Sequence, residues 1–158
     1  MNGSDTDLIK TLINNGVDVN GNYTSKTTPL IAATRCGDEE IVKILIDACA
    51  KIDSCDDDEE TALLYAATYG YTDILKHLIH HGAFINHKNK DGETALIASL
   101  QETQVIDTIN LLLKNNADIM ITDNTGKNAI DWAESTGNKQ IIDIITKQAT
   151  LDKTTRSV

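Results

Sequence analysis

The chain has one proline, one phenylalanine and one tryptophan among its 158 residues, and aromatic residues make up 4% of it. A single proline leaves no proline-rich linker, and no serine- and glycine-rich stretch takes its place, so the chain reads as one domain. Basic residues are also scarce: 14 lysines and arginines face 24 aspartates and glutamates, a formal net charge of −10. Phosphate backbones and anionic bilayers are held by clustered Lys and Arg, so this balance argues against nucleic acid and against a membrane surface as partners. No stretch approaches the roughly 18 apolar residues that span a bilayer. The opening segment, Met1 to Asp7, has neither the basic nor the apolar part of a secretory signal. Cys36, Cys49 and Cys55 are odd in number and lack the spacing of a disulfide framework. They read as reduced thiols in a cytoplasmic setting.

Signatures of catalysis and of cofactors are missing too. Gly3, Gly21, Gly92 and Gly126 are isolated turn glycines, not a phosphate-cradling set. His77 and His81 lie four apart, a spacing that lets two imidazoles face one metal ion. His80 and His81, however, fall near a helix C-terminus, where the dipole favours imidazolium, and no native metal site is expected. The run from Asp53 to Glu60 is the densest charge cluster in the chain. It matches a calcium-binding loop only loosely, lacking the central glycine and the final ligand. It reads as a solvated acidic loop, with steering of a basic partner as the functional alternative. No cofactor and no catalytic activity are expected.

What the chain does have is a period. Thr28, Thr61 and Thr94 stand 33 residues apart, and each opens a similar string: TPLIAATRCGDEEIVKILIDACAKID, TALLYAATYGYTDILKHLIHHGAFIN and TALIASLQETQVIDTINLLLKNNADI. Thr28 suits a helix N-cap, and Pro29 suits the first helical position. Gly37 permits a tight reversal, after which Asp38 caps a helix whose Ile41, Val42, Leu45 and Ile46 follow helical spacing. Gly16 and Gly82 fall where helices end in a left-handed residue. The polar stretches at 86–92 and 123–126 read as turns. One such unit cannot bury its apolar faces alone, so the units must stack.

This pattern resembles the ankyrin repeat family. Thr28-Pro29-Leu30 is closest to the family's opening, with Ile31 where histidine is usual, and Thr61-Ala62-Leu63 and Thr94-Ala95-Leu96 are variants. The mid-repeat glycine falls at Gly37, Gly70 and Gly137. The late Gly-Ala falls at Gly82-Ala83, with Cys49-Ala50 and Asn116-Ala117 as altered copies. Asn128 to Ala133 opens a fifth copy. The resemblance covers roughly residues 5–147 and implies an all-α solenoid of helix-turn-helix units with β-hairpin fingers. The expected division is a domain over 1–147, followed by a polar tail at 148–158. Within the domain come a partial repeat at about 5–22, full repeats at about 23–55, 56–88 and 89–122, and a capping repeat at about 123–147.

Three departures stand out. Lys26 and Glu59 occupy finger positions that usually carry glycine. If the backbone there is left-handed, each substitution costs on the order of 1 kcal/mol; otherwise these fingers turn differently. The fourth repeat has one extra residue and lacks the mid-repeat glycine, with Thr103 near its place. A longer turn is therefore expected over Gln101–Thr108. The first repeat lacks its inner helix, leaving Leu8 and Leu12 short of cover, whereas Lys127, Asp131, Glu134, Lys139, Gln140 and Lys147 make a polar cap at the other end.

The resemblance implies non-catalytic protein recognition through the concave face and fingertips. By register the contact residues are Ser25, Thr27 and Arg35; Asp57, Asp58, Glu60, Tyr69 and Tyr71; Lys90, Asp91, Glu93, Gln101 and Glu102; and Asn124, Lys127 and Ser135. Tyr69 and Tyr71 are the expected anchors, while Tyr65 and Trp132 are read as core. The expected partner is a protein with a basic surface. The expected state is a monomer, with dimerisation through the amino end as the alternative. Competing readings are a regulatory part of a larger multidomain protein and an effector exported into a host cell to bind host proteins.

Overall fold

The computed structural model of the chain describes residues 3–21, 26–101 and 106–155. Nine helices form among them: α1 (Gly3–Asn14), α2 (Pro29–Arg35), α3 (Glu39–Asp47), α4 (Ala62–Thr68), α5 (Thr72–His80), α6 (Ala95–Ser99), α7 (Ile106–Lys114), α8 (Ala129–Thr136) and α9 (Lys139–Thr155). The inner helices α2, α4, α6 and α8 contact one another in succession, and the outer helices α1, α3, α5, α7 and α9 do the same. The result is two helical layers enclosing one core.

Each inner helix begins at a side-chain cap. The hydroxyls of Thr28, Thr61 and Thr94 accept the amides of Ile31, Leu64 and Ile97 at 3.3, 3.3 and 3.4 Å. Asn128 takes the same place before α8 and forms a reciprocal capping box with Asp131. Behind the caps come small and aliphatic side chains. Ala62, Leu63, Leu64, Ala66 and Ala67 of α4 are all buried, as are all five residues of α6. The outer helices add longer aliphatic side chains to the core, including Val42 and Leu45, Leu75 and Leu78, and Ile109 and Leu112.

The turns follow the expected chemistry. Gly16, Cys49, Gly82 and Asn116 all have positive φ, and the residue after each donates its amide back across the last helical turn, as Ala50 does to the Leu45 carbonyl at 2.9 Å. Gly37 has φ +70°, and a methyl group placed there would stand 2.8 Å from the ring of Tyr71, so conformation and close packing both require glycine. Asp38 caps α3 through the amide of Ile41 at 3.1 Å.

The fingers differ from the expected hairpins. No strand forms among the described residues; the only pairing there is one antiparallel bridge between Cys55 and Thr61. Each finger is instead a tight loop in which residue i donates to the carbonyl of i+4: Asp56 to Glu60, Asn89 to Glu93 and Asp123 to Lys127, at 3.1, 3.0 and 2.9 Å. Lys26 and Glu59 are left-handed, with φ 53° and 61°, like Gly92 and Gly126 in the later fingers. The strained alternative therefore holds, and the turn is kept although the glycine is lost.

Two boundaries also move. Ile106, Asp107 and Thr108 are helical rather than part of a long turn, and α6 is cut to five residues; Thr103 lies outside the described residues. The supposed tail continues α9 as far as Thr155. No glycine or proline interrupts Lys139–Thr155, and Gln148 bonds Asp152 one turn on at 2.7 Å.

Glu59→Gly should raise stability by about 0.5–1 kcal/mol, the relief of a left-handed side chain less the entropy that glycine adds to the unfolded chain. Gly92→Ala should do the reverse, and by more. Its φ is +78°, and the new methyl would meet the Asn124 backbone nitrogen at 2.8 Å. Denaturant midpoints of the two variants would show opposite shifts.

Candidate partner-binding surface

Each finger is organised by one buried polar side chain. Asp56 Oδ1 accepts the amides of Asp58 and Glu60 at 2.9 and 3.0 Å. Asn89 Oδ1 accepts those of Asp91 and Glu93 at 3.0 and 2.9 Å. Asp123 Oδ1 accepts those of Thr125 and Lys127 at 2.8 and 3.0 Å. The second atom of each group reaches outward. Asp56 Oδ2 accepts the Tyr65 hydroxyl at 2.8 Å, and Asp123 Oδ2 accepts the Trp132 indole N–H at 2.7 Å. Between them, Ala98 takes the aromatic position, and Asn89 Nδ2 instead donates to the carboxylates of Glu60 and Glu93 at 2.8 and 3.4 Å.

Neighbouring fingers are stitched together. The amides of Lys90 and Asn124 donate to the carbonyls of Asp58 and Asp91 at 3.0 and 2.9 Å, and Asn124 Nδ2 donates to the Lys90 carbonyl at 2.7 Å. The acidic run is partly answered from within the chain: Lys26 lies 3.4 Å from Asp57 and Lys90 lies 3.7 Å from Asp58. These groups are exposed, so each pair contributes little and remains open to exchange with a partner. Glu60 is different. It is half-buried, and burial pushes its carboxyl above the ordinary range, reinforced by the charges of Asp56, Glu93 and Asp58 against the opposing bond from Asn89. Its Oε2 is shielded from solvent and has no hydrogen-bond partner.

Beside the fingers, the inner helices carry a ladder. The Arg35 guanidinium sits 5.3 Å from the centre of the Tyr65 ring. Tyr65 stacks on Tyr69 at 6.2 Å, and Tyr69 tilts against Tyr71 at 5.7 Å. Tyr69 is 50% exposed, whereas Tyr71 is half-buried on Gly37. Of the two expected anchors, only Tyr69 is open; Tyr71 supports it from behind. Tyr65 and Trp132 are half-buried rather than core, because their polar ends stay within reach of the finger carboxylates. Burial and the adjacent Asp56 charge keep the Tyr65 phenol protonated well beyond its usual range.

The remaining expected residues fall at the margins. Thr27 is half-buried before the α2 cap, and Glu93 is half-buried, accepting from Gln101 at 2.6 Å. Asp91, Lys90 and Asn124 are exposed on the stitched loops. Lys127 covers the Trp132 ring at 4.7 Å, and the Ser135 hydroxyl is turned back onto the Trp132 carbonyl at 2.6 Å. Ser25 and Glu102 lie outside the described residues. The structure therefore brings the candidates into a tyrosine–arginine ladder running from the end of α2 across α4 to the turn before α5, an acidic cluster on the fingers and a separate group around Trp132. The residues that sequence reasoning missed are Asp56, Asn89 and Asp123. A recurring Asp or Asn, with an aromatic residue nine positions on in two of three copies, was the available signal.

The histidines are dispersed in role. His77 Nε2 lies 3.4 Å from Glu39, and His81 Nδ1 donates to the His77 carbonyl at 2.8 Å. Among the described residues no three His, Cys, Asp or Glu side chains converge as metal ligands, and no helix is long and apolar enough to cross a membrane.

The family model for ankyrin repeats matches residues 1–89 in three copies. No curated protein is significantly similar to the chain. Beyond residue 89 the same pairing of inner and outer helices continues through α9.

Asp123 supplies a pH-dependent prediction. Desolvation works to raise its pKa, but hydrogen bonds from the Thr125 hydroxyl, the Trp132 indole and the amides of Lys127 and Thr125 outweigh it and hold the group down at about 2. An unfolded aspartate titrates near 3.9. The bonds therefore stabilise the fold fully above about pH 4, and that contribution is lost as pH falls towards about 2. Melting temperature should drop over this window. In Asp123→Asn the drop should be shallower, from a starting point on the order of 1–3 kcal/mol lower, because an amide N–H then opposes the indole N–H.

Proposed function

The chain belongs to the ankyrin repeat family, and from that premise we propose that it is a non-catalytic module that binds a partner protein through its inner-helix face and fingertips. Repeats of this family generally serve protein–protein interaction. The observation that carries the reading is Tyr69: a large, half-exposed aromatic held between two other rings, at the edge of the acidic fingers. Tyrosine in such a position gives contact area with little rotamer entropy left to lose, because Tyr65 and Tyr71 already restrain it.

The partner presents lysine or arginine to the fingers. Asp57 and Asp58 are exposed and lightly paired, so they attract a basic surface at long range. Glu60 acts at contact. Half-buried among the charges of Asp56, Asp58 and Glu93, it is a carboxylate whose repulsion a partner's cation at the exposed side of the finger would offset. Cys36, Cys49 and Cys55 are all free, which suits a reducing compartment, and we place the protein in the cytoplasm.

The test is capture of partners from lysate of the source organism at low and then moderate salt, followed by affinity measurements on variants. Tyr69→Ala should weaken binding by about 1–2 kcal/mol with little change in melting temperature. Glu60→Gln should weaken it as well, yet raise stability at neutral pH by about 0.5 kcal/mol, since a screened repulsion is removed while the bond from Asn89 is kept. Wild-type affinity in both variants would move the binding surface elsewhere.

A further inference from the structure

One cation on the inner-helix face has no counter-charge. Among the residues of α2, α4, α6 and α8, Arg35 is the single lysine or arginine. It ends α2, is exposed, and lies over the Tyr65 ring 5.3 Å from its centre. No carboxylate among the described residues comes within ion-pair distance of it. Those of the adjoining finger are engaged elsewhere: Asp56 with two amides and the Tyr65 hydroxyl, Asp57 with Lys26, and Asp58 with Lys90. The guanidinium is nonetheless held in place. Asp56, closed within its finger, accepts the Tyr65 hydroxyl at 2.8 Å, and the ring in turn carries Arg35. A cation attracted to a ring face keeps its planar fork of N–H donors for other acceptors. The open Tyr69 ring stacks on the same Tyr65 at 6.2 Å, so a donor edge and an apolar contact surface adjoin.

We propose that Arg35 receives an aspartate or glutamate side chain of the partner protein, through paired hydrogen bonds from its guanidinium, while an apolar residue of the same segment covers Tyr69. The assignment rests on the inner-helix face being the binding surface, and it adds that the partner segment carries an acid as well as the base that faces the fingers. Charge complementarity selects the occupant. Phosphate groups are taken by clusters of arginines, and Arg35 has no second cation beside it on these helices. A phosphate dianion would also meet the charges of Asp56, Asp57, Asp58 and Glu60 on the adjoining finger. A carboxylate brings a single charge and matches the guanidinium fork in shape.

The test pans a random-peptide phage library against the whole chain and against its Arg35→Gln, Arg35→Glu and Tyr69→Ala variants. Arg35→Gln changes one exposed side chain and should leave the melting temperature almost unchanged. Peptides enriched on the unaltered chain should carry Asp or Glu at a fixed spacing from Lys or Arg. On Arg35→Gln the acid should vanish from the enriched set while the base remains. On Arg35→Glu a basic residue should take the acid's place. In a synthetic copy of an enriched peptide, replacing the acid by its amide should weaken binding to the unaltered chain about tenfold and leave binding to Arg35→Gln unchanged. Enriched peptides without a recurrent acid, or the same set on Arg35→Gln, overturn the proposal; if Tyr69→Ala still abolishes them, the reading of the face as a binding surface stands. Peptides that neither Arg35→Gln nor Tyr69→Ala affects overturn both, and so does a selection that enriches nothing. A fall of several degrees in the melting temperature of Arg35→Gln, with the peptide set unchanged, overturns the proposal by assigning Arg35 to packing on Tyr65.

Discussion

Mutual burial of the inner helices is the constraint on which everything else rests. Helices α2, α4 and α6 are seven, seven and five residues long, far too short to persist alone in water. They exist because Leu30, Leu63, Leu64 and Leu96 are almost wholly removed from solvent by the neighbouring units. Alanines at the same level let the backbones approach closely, and the outer helices complete the core with longer aliphatic side chains. Stability in such an array is a sum of nearest-neighbour interfaces. Where a helix here lacks one neighbour its apolar side chains stay exposed, as Leu8 and Leu12 of α1 do.

The fingers inherit their order from this core. A loop of four or five residues has few contacts of its own, yet here each is closed around a buried Asp or Asn that accepts two amides. Asp56 and Asp123 also reach an aromatic residue on the adjacent inner helix. One carboxylate thus shapes the loop and sets the aromatic ring beside it. Buried polar groups satisfied at every atom confer rigidity of this kind, and half-satisfied ones are costly. That contrast separates Asp56 and Asp123, which are fully used, from Glu60, which is not.

The period made most of this legible. Thr28, Thr61 and Thr94 located the inner helices and their caps, and the glycine and apolar spacing located the outer ones. The missing parts were those that depend on neighbours distant in sequence. Tyr71 looked like a free aromatic until Gly37 was seen beneath it. The acidic run looked unpaired until Lys26 and Lys90 came in from the flanking fingers. The persistence of left-handed Lys26 and Glu59 could not be decided locally, because the loop geometry is imposed by the stack and overrides a cost of about 1 kcal/mol. The length of α9 is hidden for another reason: polar composition suggests a tail from 148 onward, although no glycine or proline between Lys139 and Thr155 stops a helix.

Glu60 shows how stability and recognition are set against each other on this surface. A glutamine there would keep the bond from Asn89 and remove the repulsion from Asp56, Asp58 and Glu93. The fold alone gives no reason to prefer the carboxylate, since Thr61 caps α4 and Asp56 closes the finger without it. A partner's cation does give one. Brought against the exposed side of the finger, beside Asp57 and Asp58, it would offset the repulsion among Glu60, Asp56, Asp58 and Glu93 that the free protein tolerates. The aromatic ladder works in the same direction, because Tyr69 is restrained by Tyr65 and Tyr71 before any partner arrives. Both features place their cost in the free state and their return in the complex, which is the arrangement expected of a rigid recognition surface.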